Sequence, residues 1–411
     1  MKKITLITLS FFFLFSCDNK NKSKKKDDLI FSGVKKSKNI IEIKIDSLCT
    51  DIIKIPNVDS TSKLYLSKFI DSVRLLKLET TEKSIIGKID KIIVKNKSVY
   101  ILDAFVTKGI YEFSIDDGSF IRKYGNFGKG PSEYIYPVDF NIDKNELIIL
   151  DNNKSKLLVY DLNGKFKRKL RLGFRALKFI IDKDGRYIYY TAGSPNYYID
   201  NSNNFLLLIG NGKGNIKYKA FSTLPIQHKF SFLGSNSLII NNDNPMFHFR
   251  YDNNIYIIEG NKIRPFLYFD FGEEALPKDY DHNINHKEFV AKYHGIESPY
   301  LTFSGNYLIN NNHMFFTYNK SNRLVTSIYS FKTKEIISGT ILSSENFKKG
   351  FGTFSPTTIY KDFFVSYANS YEIIKNKELL KKFRDEETNN LIKETTEYDN
   401  PIIVFQKLKE F

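Results

Sequence analysis

Tryptophan is absent from this chain of 411 residues, and cysteine occurs only twice, as Cys17 and Cys49. Two cysteines cannot form the dense disulfide framework of many small secreted domains, so that class is excluded. A transmembrane helix needs about 18 or more consecutive apolar residues. The apolar run near the start of the chain covers only residues 4–15, so it is too short to span a bilayer.

The plentiful residue types favour a large folded body made of β-strands. Hydrophobic residues make up 42% of the chain and aromatic residues 15%, enough for a sizeable core. Alanine is scarce, and β-branched and aromatic types favour strands. The formal net charge is +16. Since no basic helix or aromatic RNA-binding motif accompanies this charge, we expect no nucleic-acid partner.

The amino terminus predicts export and attachment to a membrane. Lys2 and Lys3 precede the apolar run, as in a signal peptide. Cys17 follows the residues Leu-Phe-Ser, and this arrangement resembles the bacterial lipobox, which implies cleavage before Cys17 and lipidation of its thiol. Several acyl chains would anchor the protein stably. The alternative is an ordinary secretory signal with a chance cysteine.

This start defines the predicted domain organisation. Residues 1–16 form the lipoprotein signal peptide, residues 17–62 the lipidated tether and linker, and residues 63–411 the folded domain. Residues 18–28, DNKNKSKKKDD, contain no apolar side chain and cannot pack into a core. The expected location is the cell envelope, with the outer membrane preferred and its periplasmic or surface side left open. Cys49 is expected to be a bystander without a redox role.

A pattern of short strands begins near residue 70. The segment 89–124 reads as four strands, at 89–95, 98–103, 108–114 and 119–124, and the Asp-Gly pair at 117–118 predicts a tight turn. The pattern then recurs: Asp103 returns as Asp151, 48 positions later, and Phe120 as Phe166, 46 positions later. Repeats of about 40 to 50 residues with four strands are typical of propeller blades.

Degenerate copies of this unit follow to the end of the chain. They lie at about 174–222, 230–272, 303–339 and from 355 onward, which predicts six blades, with seven as the alternative. Two insertions, 277–295 and 376–395, have helical patterns. The strand at 71–80 and the terminal strand at 400–411 are predicted to pair within one blade, which would close the ring.

The glycine-rich stretch GNFGKGPSEY, residues 125–134, uses residue types found in phosphate-binding loops. Such a loop precedes a helix whose amino terminus faces the anion. Here Pro131 and an extended segment follow, and the Gly-Lys-Ser/Thr order is absent. We therefore interpret Gly125, Gly128, Gly130 and Pro131 as a structural connector between two blades.

The segment 120–170 also resembles an NHL-type repeat, with its G-x-G-x-G-P spacer and a hairpin similar to VFDxxGxF. More broadly, the stretch KLETTEKSIIGKIDKI, the spacer and the terminal DNPIIVFQKLK resemble the six-bladed β-propeller lipoproteins of Bacteroidota. The resemblance covers most of residues 70–411 and departs at Ser132, where the spacer more often has a second glycine. It implies an all-β envelope lipoprotein and supplies no catalytic motif.

Three further groups of residues were weighed as sites. His282 and His286, with Asp281, Glu288 and His294 nearby, could hold zinc, but a solvated helix is the preferred interpretation. Asp103 and Asp151 could contribute to an axial ring of carboxylates, but turn aspartates are preferred. The Tyr- and Asn-rich segments at 185–201 and 306–320 suit a sugar or peptide surface, although strand packing is preferred.

The predicted function is that of a non-catalytic binding module, with a protein, peptide or glycan on one propeller face and the membrane reached through the lipid on Cys17. No catalytic residue, metal or cofactor is expected, and the oligomeric state is left open. The alternative is an NHL-like lyase or lactonase with a metal in the central channel. A channel lined by carboxylates and imidazoles would favour the enzyme, and one lined by Lys, Tyr and Asn the binding module.

Overall fold

The protein is a six-bladed, all-β propeller, as the sequence predicted. The computed structural model describes residues 30–47, 51–194, 196, 199, 205–222, 237–241, 243–249, 251–277, 284, 286–381 and 385–411, without the side chains of His286, His294 and Leu379. Each blade meanders from an innermost strand at the central axis to an outermost strand at the rim. No helix in this part of the chain is both long and apolar enough to cross a membrane.

Four strands and one short helix precede the first complete blade. They are β1 (Ile41–Glu42), β2 (Asp51–Lys54), β3 (Lys63–Tyr65), α1 (Leu66–Phe69) and β4 (Ile70–Lys77). Blade 1 contains β5 (Lys91–Lys95), β6 (Ser98–Asp103), β7 (Gly109–Ser114) and β8 (Phe120–Tyr124). The four strands predicted between residues 89 and 124 are therefore confirmed, and their ends differ by two residues at most.

Blade 2 repeats this arrangement with β9 (Pro137–Asp143), β10 (Glu146–Asp151), β11 (Lys156–Asp161) and β12 (Phe166–Arg171). Its second strand, like that of blade 1, is almost entirely buried. A middle strand is flanked by strands on both edges and by neighbouring blades on both faces. This explains why both segments are nearly continuous apolar runs and lack an alternating pattern.

The later blades keep the same meander despite weaker sequence repeats. Blade 3 contains β13 (Lys178–Ile181), β14 (Tyr187–Tyr190), β15 (Phe205–Gly210) and β16 (Ile216–Ser222). Blade 4 contains β17 (Leu238–Asn241), β18 (Asn244–Phe247), β19 (Asn254–Glu259) and β20 (Lys262–Asp270). Blade 5 contains β21 (Thr302–Ile309), β22 (His313–Lys320), β23 (Arg323–Ser330) and β24 (Ile336–Gly339). Strand β25 (Ile341–Ser343) follows blade 5 and pairs with β3.

Blade 6 joins the two ends of the domain, as predicted. It contains β26 (Thr358–Tyr360), β27 (Phe363–Ala368), β28 (Ile402–Leu408) and, as its outermost strand, β4. Ile403 pairs with Leu76 and Val404 with Leu75 in the antiparallel ladder between β28 and β4. The carboxy-terminal strand is thus held between two strands distant in sequence, and this pairing closes the ring.

Helices occur only in connections among the described residues. They are α2 (His286–His294) between blades 4 and 5, and α3 (Ser370–Lys375), α4 (Lys377–Lys381) and α5 (Glu386–Lys393) between β27 and β28. Both predicted helical insertions therefore contain helix. In the second, Asp385 caps α5 by accepting a hydrogen bond from the Thr388 amide, which satisfies a donor that the first helical turn leaves open.

The segment before β4 runs along the outside of the ring. We call residues 30–47 and 51–62 the strap. Within it, β1 pairs in parallel with β16, and β2 pairs in parallel with β20. Apolar strap residues are buried against blades 3 to 5, namely Phe31, Ile40, Ile43, Ile53 and Val58. The strap lies within residues 17–62, which the sequence predicted to be tether and linker. Its strands β1 and β2 have only two and four residues, too few to show an alternating pattern of apolar and polar side chains.

Candidate functional site at the axial channel

The glycine-rich connector, residues 125–136, joins β8 at the rim of blade 1 to β9 at the axis of blade 2. The Gly130 amide donates a 2.7 Å hydrogen bond to the Glu133 carboxylate, and a Cβ added at Gly128 would lie 2.0 Å from the same carboxylate. Gly125 has a φ of +63° and lies against the Tyr160 hydroxyl. An internal carboxylate therefore occupies the loop that a phosphate would need.

The turn interpretation of Asp103 and Asp151 is confirmed. Asp103 is fully buried and accepts hydrogen bonds from the Gly87, Val106 and Thr107 amides at 2.8–3.1 Å. Asp151, equally buried, accepts hydrogen bonds from the amides of residues 135, 136 and 153. Each carboxylate ties an incoming connector to the loop after the second strand of its blade, and neither lines the axial channel.

The remaining predicted sites fall mostly outside the described residues. This holds for Cys17, Cys49, Asp281 and His282, and for the side chains of His286 and His294. Within the described chain, no group of three or more His, Cys, Asp or Glu residues is arranged to hold a metal ion. In the Tyr-rich segments the packing interpretation is confirmed for five tyrosines, which are buried in the core: Tyr187, Tyr189, Tyr190, Tyr307 and Tyr318.

A cavity of about 710 Å³ lies on the propeller axis, between the innermost strands of all six blades. Because every blade starts at its inner strand, the beginnings of these strands share one face of the disc. We call the cavity the axial channel. Both halves of the ring contribute apolar and polar residues to its lining. In blades 1 to 3 the polar ones form what we call the polar wall: Asp90, Lys91, Asp139, Asn141 and Lys178.

The polar wall of the channel is built from contacts between neighbouring blades. Lys91 of β5 donates to the Asp139 carboxylate at 2.6 Å and to the Phe140 carbonyl at 2.8 Å. Asp139 of β9 in turn accepts a 2.8 Å hydrogen bond from the Phe179 amide of β13. Asn141 donates to the Phe179 carbonyl. These side chains therefore link three inner strands that share no backbone ladder.

Lys178, at the start of β13, adds a second amine to this wall. Burial lowers its pKa to about 8; the nearby Asp139 carboxylate opposes that shift and the Lys91 amine adds to it. The low-dielectric surroundings disfavour the charged ammonium, whereas the carboxylate favours it. The polar wall therefore places two amines, those of Lys91 and Lys178, beside the buried Asp139 carboxylate.

The side of the channel formed by blades 4 to 6 is mixed, because Thr357 and Thr358 add polar groups at the start of β26. Its apolar residues are Leu238, Ile239, Ile240, Leu308, Ile309 and Ile359. At the ends of β17, β21 and β26 the lining changes to Asn241, Asn310, Asn311, Lys361 and Asp362. The channel is thus lined by apolar, amide and amine groups together with three carboxylates, those of Asp90, Asp139 and Asp362.

Beside the channel lies a cluster of exposed apolar side chains in the loops of blade 1. Ile85, Phe105, Val106 and Phe127 are each 47–61% exposed, and we call them the mouth patch. Phe105 contacts Tyr136 of the connector that carries Phe127, with 5.7 Å between ring centroids. The patch adjoins the channel because the Ala104 amide donates a 2.8 Å hydrogen bond to the channel residue Asp90.

Two lysines border the mouth patch. The Lys88 ammonium lies 5.0 Å from the Phe105 ring centroid, and the Lys108 ammonium lies 4.4 Å from that of Phe127. Val106 is held against Gly87, where an added Cβ would lie 2.3 Å from its Cγ1. Cation–π contacts and this close packing order the side chains of the patch while leaving their apolar faces in solvent.

Sequence reasoning did not identify the channel residues or the mouth patch. A weak signal was present for the channel, because Lys91, Asp139 and Lys178 interrupt the apolar inner strands KIIVK, PVDFNID and KFII near their starts. For the mouth patch no signal was available. Phe105 and Phe127 occur in loops whose side chains could equally have turned inward, as Tyr134 of the same connector does.

Comparison with known proteins assigns the family. The chain matches the model of a domain of unknown function, DUF4934, over residues 50–407, and therefore belongs to that family. No curated protein matches it.

Solved structures include several similar propellers. An inferred exported protein of Bacteroides fragilis superposes with a TM-score of 0.71 at 20% identity, covering 87% of this chain and 100% of the other. A DUF4221 family member from Bacteroides vulgatus gives a TM-score of 0.48 at 12% identity, covering 83% and 98% of the two chains. At 20% identity the likeness to the Bacteroides fragilis protein shows the shared fold alone.

Proposed function

We propose that this DUF4934 propeller is an envelope-associated binding module that receives an apolar segment of a partner protein at the mouth patch. The observation that carries the proposal is the exposure of four large apolar side chains, Ile85, Phe105, Val106 and Phe127, in the loops around blade 1. Soluble proteins rarely leave clustered large apolar side chains in solvent unless they bind something. Interface energy commonly concentrates in such aromatic anchors.

The composition of the patch favours a peptide over a glycan. Ile85 and Val106 are aliphatic and branched, so they cannot provide the flat stacking surface that a sugar ring prefers. The patch is bordered by the ammonium groups of Lys88 and Lys108. A segment with apolar side chains and an acidic neighbour would complement both features.

The axial channel supports binding at its mouth more than chemistry inside it. The Lys91, Asp139 and Asn141 side chains are engaged in joining β5, β9 and β13. Moving them toward a substrate would break contacts between blades. The channel can still receive the end of a bound segment, with apolar side chains against Ile239 and Ile309 and polar groups toward Lys178.

Peptide selection on the purified protein tests this proposal. Peptides enriched from a random displayed library should bind with micromolar affinity. The double substitution Phe105→Ser and Phe127→Ser should weaken that binding about tenfold or more, because two anchors are lost. Ile52→Ser is the matched control, since Ile52 is 63% exposed on the strap, away from the mouth patch. Equal binding by the double variant, or no enrichment over the empty support, would refute the proposal.

Export and lipid anchoring belong to the same proposal and rest on the amino-terminal sequence. We propose that Cys17 carries the lipid and that the protein resides at the outer membrane. Cys17→Ala should leave the protein unprocessed or release it from the membrane fraction, and intact-mass analysis should show the loss of the acyl chains. A Cys17→Ala protein that still carried the added mass of the acyl chains and still appeared in the membrane fraction would contradict the lipid anchor. Cys49→Ala is the matched control.

A further inference from the structure

The outer edges of the six blades differ in whether another strand covers them. β1 covers the edge of blade 3, β2 covers that of blade 4, and β3 lies against β24 of blade 5, where a Cβ at Gly339 would be 2.7 Å from the Leu64 amide nitrogen. Blade 6 ends in β4. Among the described strands none pairs with the outer edge of β8 or of β12. The outer edge of β4 is likewise unpaired among the described strands. Blades 1 and 2 present the other two rim edges that the strap does not cover.

Of these two edges, that of β8 is partly satisfied by side chains. The Phe120 amide donates a 2.6 Å hydrogen bond to the Glu79 carboxylate, and Arg122 lies 3.1 Å from the Glu112 carboxylate. The edge of β12 differs. Its Arg171 donates hydrogen bonds to the Ile30 and Ser32 carbonyls of the strap, but no described residue forms a hydrogen bond or ion pair with Lys169 in the middle of the strand.

The backbone groups that face outward on β12 follow from its pairing. The Leu172 amide donates to the Ser155 carbonyl of the preceding strand region at 2.6 Å, and Leu157 lies opposite Leu170. Amide directions alternate along a strand. The amides of Arg168, Leu170 and Leu172 therefore face β11, whereas the amide and carbonyl of Lys169 face away from the sheet.

The same edge is strongly basic. Lys167, Arg168, Lys169 and Arg171 are all exposed, within the sequence FKRKLR. Glu146 neutralises Arg168 at 2.6 Å and lies 3.7 Å from Lys167, while no acidic group of the described residues forms an ion pair with Lys169. Lysines on an edge strand oppose pairing with a second basic or neutral edge. They favour a strand that carries negative charge.

We propose that the outer edge of β12 binds an extended acidic segment of a partner protein, which joins blade 2 as a fifth strand. The strap shows how such a strand fits, because β1 and β2 extend blades 3 and 4 in parallel orientation. Main-chain hydrogen bonds would supply affinity, and the basic side chains would select acidic residues. This surface lies on the rim and is separate from the mouth patch on the loop face.

A labelled peptide tests the edge directly. The probe is a fluorescein-labelled octapeptide of alternating Val and Glu, and the comparison peptide has Lys in place of Glu. Fluorescence anisotropy at low salt should show saturable binding of the Glu peptide alone, and added salt should weaken it. Hydrogen exchange should show protection of the Lys169 amide when the Glu peptide is bound.

Two substitutions separate backbone pairing from charge. Lys169→Pro removes an outward amide without removing a bond to β11, and proline is tolerated on edge strands. It should weaken binding about tenfold relative to Lys169→Thr, which loses the charge but keeps the amide. Lys262→Thr, at the exposed start of β20 in the covered blade 4, is the matched charge control and should leave binding unchanged. Thermal unfolding of each variant verifies that the fold is retained.

Three outcomes would overturn the proposal: equal binding of the Glu and Lys peptides, equal binding by the folded proline and threonine variants, or no protection at Lys169. A dimer that forms without peptide and dissociates on Lys169→Pro would identify a second copy of the chain as the occupant, which also contradicts an acidic partner.

Discussion

The two ends of the domain hold the ring in different ways. The carboxy-terminal strand β28 lies inside blade 6, between β27 and β4, and six of its seven residues are buried. The strap lies outside blades 3 to 5, and its two short strands β1 and β2 leave Ile41 and Ile52 largely in solvent. The first arrangement closes the ring, whereas the second covers edges that are already formed. We therefore expect substitutions in β28 to affect the whole fold and those in the strap to have local effects.

The largest effect is expected for Ile403→Asp. Ile403 is fully buried in the core between blades 6 and 1, and an unpaired carboxylate there should lower the free energy of unfolding by about 4 kcal/mol. Thermal or urea unfolding measures the loss. Lys407→Asp is the matched control, because Lys407 is the one exposed residue of the same strand. Similar losses for both variants would show that closure does not depend on the buried face of β28.

A loss of stability of intermediate size is expected at low pH, and it comes from His248, which follows β18 in blade 4. His248 packs against Phe303, with 4.3 Å between ring centroids, and burial lowers its pKa to about 4. In the unfolded chain the pKa is about 6.5, so the unfolded state binds more protons between these values. The free energy of unfolding should fall as the pH drops from about 6.5 to 4, by about 3 kcal/mol in total from this residue.

Comparison with His248→Met isolates this contribution from other titrating groups. Urea unfolding between pH 4 and pH 7.5 gives the free energy of unfolding of both proteins. The two values should approach each other as the pH falls, because the variant lacks the proton-binding site. Parallel curves for the two proteins would contradict the assignment. The Nδ1 atom of His248 lies 3.0 Å from the Asn254 carbonyl, which favours the charged ring. The Nε2 atom has no hydrogen-bond partner among the described residues, and burial outweighs the single contact.

The smallest effects are expected within the strap itself. Ile53 is buried in the core shared by blades 4 and 5, so Ile53→Val should lower the free energy of unfolding by about 1 kcal/mol. Its neighbour Ile52 faces solvent, and Ile52→Val should change stability by less than about 0.5 kcal/mol. Urea unfolding of the pair would show whether the strap is packed on one face only. Equal changes would contradict that arrangement.

The sequence predicted some parts of the fold more closely than others. It placed the strands of blade 1 closely, because Asp103 and Asp151 recur at equivalent turns and the glycines of the connector mark the blade boundary. It also paired the terminal strand with 71–80, since both were apolar segments without another partner. It did not find β1 or β2, whose few residues leave no period to detect. The mouth patch was missed because exposure of Phe105 and Phe127 depends on how two separate loops fold.

The amino-acid sequence by itself determined the class of fold, the number of blades and the closure of the ring. Those features follow from the spacing of apolar residues and turns, which acts over a few tens of residues. Only the tertiary structure decided which side chains meet on the axis and on the rim. Lys91, Asp139 and Lys178 come from three blades, and the outer edge of β12 is one that no described strand pairs with. Such neighbours are set by the rotation of one blade onto the next, a long-range property that local sequence does not encode.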